Sequence, residues 1–191
     1  MPALRSIADR TAAMNPIALI LPNHRASVSA FVLGLVILMS LDALRLAFGS
    51  APVPGFVPLL AIWFVCYSLF ANRRRHAGRD VGLAFLPPVL AILAKGVGAA
   101  VGFGMQIFDA MLEFAADQGV DTSDQIAFNE ALADPGFQPA FQSWLEADQE
   151  RLMAMMQAGA WPSFIGFWLV LGVFAIWFAT LQRNGSAAAQ S

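Results

Sequence analysis

Four long apolar stretches run along the chain, separated by short polar segments, and their lengths predict helices that cross a bilayer. Residues 27–48 are apolar but for Ser27, Ser29, Ser40, Asp42 and Arg45; as a helix these 22 residues reach about 33 Å, close to the ~30 Å hydrocarbon thickness. Residues 53–71 predict a second span, with Pro54 in its first turn, where a missing N–H costs least, and Pro58 bending its start. Residues 81–104 predict a third, in which Pro87-Pro88 must either kink the helix or delay its start, leaving 81–86 as an interfacial turn. Residues 161–181 predict a fourth, with Trp161 and Trp177 near its two ends, where amphipathic rings suit the membrane interface.

Between spans three and four the pattern changes to short amphipathic helices. Residues 105–116 carry Met105, Phe108, Met111, Leu112 and Phe114. Thr122 or Ser123 is placed to cap a helix running to about Ala133, and Asp134-Pro135-Gly136 is a turn signal. A helix over 139–157 carries Phe141, Trp144, Leu145, Leu152, Met155 and Met156 on one stripe. That stripe, Phe141, Trp144, Leu145 and Leu152 above all, must either fold back on residues 105–116 or dock a partner. At the other end, residues 2–14 read as a weakly amphipathic helix lying on the inner leaflet, and the last residues, 183–191, as a short polar tail.

Composition fits this reading: 58% of the 191 residues are hydrophobic and 13% charged, against about 25% charged in soluble domains. The net charge of −2 offers nucleic acid no general attraction. Charge position is more informative. Residues 72–80, Asn-Arg-Arg-Arg-His-Ala-Gly-Arg-Asp, form a basic segment between two apolar stretches, and short basic loops stay on the cytoplasmic side. With that loop inside, four spans place Arg5, Arg10, Arg25, Arg73, Arg74, Arg75, Arg79 and Arg183 in the cytoplasm. Residues 105–160, with ten carboxylates from Asp109 to Glu150 and one base, Arg151, then lie outside. The expected organisation is an all-α polytopic membrane protein. It has a cytoplasmic N-terminus (1–26), three spans with the basic loop (27–104), an acidic outer segment (105–160), a fourth span (161–182) and a cytoplasmic tail (183–191).

Two short stretches carry a family resemblance. Residues 24–31, His-Arg-Ala-Ser-Val-Ser-Ala-Phe, resemble the GRASRSEF/W signature of the bacterial inner-membrane family named domain of unknown function 805. Residues 72–79 resemble its RRL(H/R)DxGR signature without a gap. Arg25, Ala26, Ser27, Ser29 and Phe31 match the first, and Arg73, Gly78 and Arg79 the second, with Arg75 at the family's basic position. His24, Val28, Ala30, Asn72, Arg74 and His76 depart from the pattern. The resemblance covers roughly residues 20–110 and implies a bacterial inner-membrane location, with no activity attached.

Candidate chemistry is sparse. Lys95 lies inside a span, where a charge is costly and is usually paired. With a helix start at Val81 it would lie about 21 Å deep, level with Asp42 at about 22 Å, so the two could pair between spans one and three, the other structural reading being a snorkelling lysine; a start at Pro87 would put it at about 12 Å and spoil the match. Such a pair would also serve a small transporter, the alternative to an accessory or interaction protein. Gly98 and Gly102 are spaced to let another helix approach closely, with Gly96, Ala100 and Gly104 a second such series. The basic loop, Arg73, Arg74, Arg75, His76 and Arg79, suits anionic lipid headgroups or a partner protein, and Arg25, Ser27, Phe31 and Gly78 are the other motif positions. A membrane-protein partner or a second copy is the expected company. Methionines 105, 111, 153, 155 and 156 suit gap-filling better than Cu(I). His24 and His76, at the inner surface, make neither a haem nor a zinc site, and lone Cys66 reads as a small buried hydrophobe. No phosphate loop, nucleophile elbow, HExxH or dinucleotide fingerprint is present, so neither catalytic residues nor a cofactor are expected.

Overall fold

The computed structural model describes residues 20–48 and 56–181. The expected helix at 2–14, the turn at 49–52, Pro54 and the tail 183–191 lie outside them. The described residues are helical with no strand: α1 (Val28–Phe48), α2 (Phe56–His76), a 3-10 turn (Gly82–Phe85), α3 (Leu86–Asp117), α4 (Gln125–Ala133), α5 (Phe137–Glu146), α6 (Gln149–Ala158) and α7 (Ala160–Ala179). Among them three stretches are long and apolar enough to cross a membrane: Val28–Phe48, Gly82–Asp117 and Gln149–Ala179. Their outer faces are apolar. Exposed Val32, Leu33, Val36, Ile37 and Leu41 on α1, and Ile165, Leu169, Val173 and Ile176 on α7, form surfaces that only hydrocarbon would solvate without penalty.

The chain forms two compact units. The first contains the described residues up to Ala94 and those from Gly166; the second is Lys95–Ile165. In the first unit α1 packs on α2. Phe70 is the hinge of its core, with the ring of Phe31 edge-on at 5.1 Å and that of Phe178 edge-on at 4.9 Å. Cys66, Leu69, Phe167 and Leu171 are buried in the same unit, so Cys66 is the small buried residue its sequence setting suggests. The 3-10 turn packs back on α2 through Phe85, which sits 4.4 Å from the Tyr67 ring and 5.5 Å from Trp63.

Several helix boundaries differ from those expected. Pro87-Pro88 stand in the first turn of α3, where no helical N–H is required of them, so the helix starts late instead of kinking. It then runs unbroken for 32 residues to Asp117, and the expected break at 104–105 does not occur. The helix stops at Gly119, whose positive φ lets the N–H groups of Gly119 and Val120 return to the carbonyls of Ala116 and Ala115. The cap of α4 is Asp124, not Thr122 or Ser123; its carboxylate accepts from the N–H groups of Ile126 and Ala127. The single helix expected over 139–157 is two, because Asp148 caps a new start by accepting from the Arg151 N–H at 3.0 Å.

The amphipathic stripe is covered from within. Phe141 is buried in a core with Ala110, Phe114, Ala115, Phe128, Phe137 and Met155, and Trp144 and Leu145 pack against its edge. Phe114 is its centre, with rings of Phe137, Phe141 and Trp144 at 5.2, 5.7 and 5.5 Å. Phe141, Trp144 and Leu145 are therefore core residues rather than a partner face, and Leu152 is half-buried on α6. Met105, expected to help cover the stripe, is exposed instead, and Phe108 is exposed on one side with its ring edge-on to that of core Phe128 at 6.2 Å.

Candidate functional site

The two motif stretches meet at one end of the first unit. Asn72 is fully buried there and ties down the segment before α1 by three bonds. Its side-chain oxygen accepts from the His24 N–H at 3.0 Å, its amide donates to the Leu21 carbonyl at 2.7 Å, and its own carbonyl accepts from the Ala26 N–H at 3.1 Å. Ser27 then caps α1, its Oγ accepting from the Ala30 N–H at 3.3 Å. The motif positions thus have mechanical roles. Ala26 and Phe31 fill the junction, and Ser27 starts the helix.

Basic residues expected in a loop form the last helical turn of α2, and they divide into two groups. Arg73 and Arg74 are buried. The Arg73 guanidinium donates from Nε to the Phe178 carbonyl at 3.1 Å and from Nη2 to the Ala179 carbonyl at 3.2 Å and to that of Leu181. It satisfies the open end of α7 and places a cation at the negative end of that helix dipole. Arg74 donates from Nε to the Asp80 carbonyl and lies over the Phe178 ring at 5.6 Å. The turn closes because Gly78 has φ 68, which sends its own N–H to the Arg75 carbonyl and the Arg79 N–H to the Arg74 carbonyl. The second group is outward. Arg25 and Arg79 are exposed, and Arg75 is half-buried with one nitrogen, Nη1, enclosed without a hydrogen-bond partner. His24 and His76 are half-buried beside them.

Asp42 forms the other polar cluster of this unit. Its carboxylate is 3% exposed. One oxygen accepts from Arg45 Nε at 3.1 Å, with Arg45 Nη2 at 3.0 Å; the other accepts from Trp168 Nε1 at 2.9 Å. The Arg45 partnership is the i,i+3 pairing open to neighbours on one helix face. Trp168 was not anticipated, although a tryptophan well inside a span needs an acceptor for its indole N–H. Lys95 falls in the second unit, where its carbonyl accepts from Ser163 Oγ at 3.0 Å. Replacing Asp42 by asparagine should remove the charge opposite Arg45 while keeping one acceptor. We expect a loss of about 1–2 kcal/mol in thermal unfolding in detergent, with Trp168 fluorescence reporting the change.

In the second unit Arg151 is the clasp. It forks onto Glu113 at 2.8 and 3.0 Å, reaches Asp148 at 3.3 Å and lies 4.0 Å above the Trp144 ring. The Arg151 N–H holds the Asp148 carboxyl below its ordinary value. Asp121 is lowered in the same way by the Ser123 hydroxyl. A carboxyl depressed in the folded state stabilises it above its unfolded pKa, near ~3.9, and the stabilisation is lost as pH falls through the folded value. Amides at the start of α6 should therefore exchange faster at acid pH than the buried amides of α3, as read by hydrogen–deuterium exchange. No group of three histidine, cysteine or carboxylate side chains able to hold a metal occurs among the described residues. Met155 is buried in the core, whereas Met153 and Met156 are exposed.

Gly98 and Gly102 occupy a close helix crossing within this unit. A Cβ on Gly102 would sit 2.7 Å from the Gly159 Cα, and one on Gly98 would sit 2.8 Å from the Ser163 nitrogen. Gly96 and Gly104, the second small series, face open space.

Comparisons with protein-family models, with curated proteins and with solved structures give no match to this chain.

Proposed function

We propose that the chain is a four-pass protein of the bacterial cytoplasmic membrane, with both termini inside and residues 105–160 outside, serving as an accessory or scaffold protein for a membrane partner or a second copy. The observation that carries this reading is the gathering at one basic end of the start of α1, the end of α2 and the end of α7. Helix ends that meet in this way suit an even number of crossings, and the arginines there suit the cytoplasmic face. The same junction supports kinship with domain of unknown function 805, because the two stretches that resemble its signatures bond to each other. The accessory role is favoured over transport because both oxygens of Asp42, the buried carboxylate a transporter would use, are occupied by Arg45 and Trp168.

A reporter inserted within residues 120–150 should be active only in the extracytoplasmic compartment, and one fused after Ser191 only in the cytoplasm. Activity of both in one compartment would end the four-pass reading. In proteoliposomes, Asp42→Asn should leave ion leakage unchanged; collapse of a measurable flux would favour the transporter.

A further inference from the structure

The arginines of the basic end have unequal obligations. Arg73 and Arg74 are spent on carbonyls of the chain itself. Arg25, Arg75 and Arg79 make no side-chain hydrogen bond or ion pair among the described residues, and Arg75 Nη1 is enclosed as well. A half-buried guanidinium with no acceptor in the chain is costly, and an anion that meets its open donors relieves part of the cost. Backbone bonds tie the segments that carry Arg25 and Arg79 to the last turns of α2, which carries Arg75. The Arg79 N–H is bonded to the Arg74 carbonyl, next to Arg75, and the Ala26 N–H, next to Arg25, to the carbonyl of Asn72, three residues before Arg75. The nearest carboxylate in sequence, Asp80, is engaged with the Gly82 N–H at 2.9 Å.

We propose that Arg75, flanked by Arg79 and Arg25, binds the phosphate of an anionic glycerophospholipid. A planar fork with several donors suits phosphate oxygens, and two further cations favour a headgroup with net negative charge over a zwitterionic one. The choice of a lipid over a soluble phosphate ester rests on what borders the arginines. Exposed Val28 follows Arg25, and exposed Leu83, Phe85 and Leu86 follow Arg79, so acyl chains would lie on apolar surface while the phosphate meets the guanidinium groups. The proposal rests on the membrane reading above and narrows it to one ligand class and one face.

The test uses the full chain in mixed micelles of phosphatidylglycerol and phosphatidylcholine, with retained lipid counted by native mass spectrometry. Wild-type protein should retain phosphatidylglycerol well above its share of the mixture. Arg75→Gln should lower that enrichment by about tenfold, Arg79→Gln by a few-fold, and Arg75→Lys should fall between wild type and Arg75→Gln, because charge remains but the fork is lost. Melting in phosphatidylcholine alone should be the same for wild type, Arg75→Gln and Arg79→Gln, so a fall in enrichment reads lipid preference and not folding. Equal enrichment in wild type and Arg79→Gln, or retention at the bulk ratio by wild type, would overturn the proposal. Displacement of phosphatidylglycerol by millimolar inorganic phosphate would overturn the lipid in favour of a soluble ester. Carbonate extraction keeps the two levels apart: protein that stays in the membrane pellet yet shows no headgroup preference loses this site and not the membrane reading.

Discussion

Arg73→Ala should destabilise the first unit by about 3–5 kcal/mol, the largest loss expected from any arginine of the chain, because a charge-assisted hydrogen bond contributes about 1.5–3 kcal/mol and three carbonyls lose theirs together. Those of Phe178 and Ala179 belong to the last turn of α7 and that of Leu181 lies just past it, where no later residue of the helix can supply an N–H. Water at the helix end recovers part of the loss, which keeps the expected figure below a simple sum of three bonds. Arg73→Lys should recover about 0.5–1 kcal/mol, the part owed to a cation at the negative end of a helix, since an ammonium group cannot span three acceptors as the fork does. Arg75→Ala is the control. It removes the same charge one residue away but breaks no internal bond, so its melting temperature in neutral detergent should stay near that of wild type. Thermal unfolding followed by tryptophan fluorescence would separate the three variants; equal losses for Arg73→Ala and Arg75→Ala would mean that charge alone, and not the capping of α7, matters at this end.

Helical class and the positions of the long apolar helices were legible because burial in lipid leaves a coarse signal: runs of about 20 apolar residues separated by charge. Boundaries were harder to read where one side chain overrides the pattern. Asp148 splits a continuous amphipathic stripe by capping α6, and nothing in the spacing of Phe141, Leu145 and Leu152 announces the break. The apolar-to-acidic change at 104–105 suggested a helix end, yet α3 continues, since solvation changes there while helix propensity does not. At the basic end the sequence marked the right residues and not their division of labour. Arginines 73, 74 and 75 are equivalent as letters, and which of them turns inward depends on the 100° step of the helix and on where α7 ends, a contact 105 residues away. Trp168 is a similar case: its need for an acceptor was readable, the identity of Asp42 as that acceptor was not.

Gly102→Leu should cost more than about 3 kcal/mol in the second unit, and its neighbour Gly104→Ala should gain about 0.5–1 kcal/mol, opposite signs from two glycines half a turn apart on one helix. At Gly102 the added Cβ alone would lie 2.7 Å from the Gly159 Cα and 2.9 Å from the Ala158 carbonyl oxygen. Those neighbours are backbone, which cannot rotate aside as a side chain would, so the helices must separate to admit even the first carbon. Separation would also strain the Ser163 hydroxyl's bond to the Lys95 carbonyl in the same unit. Reciprocal crowding confirms that the approach is mutual, since a Cβ on Gly159 would lie 2.8 Å from the Ala99 carbonyl oxygen. Gly104 has no atom within 4 Å of its would-be Cβ, leaving only the conformational entropy that alanine removes from the unfolded chain. Gly98→Ala should behave as Gly102→Leu does, in smaller measure, because its Cβ meets the Pro162 carbonyl carbon at 2.6 Å. Denaturant unfolding of the four proteins, with protection of the α3 amides measured by hydrogen exchange, reads both signs at once. If Gly102→Leu and Gly104→Ala shift stability in the same direction, the close crossing of α3 with residues 158–163 is not what holds this unit together.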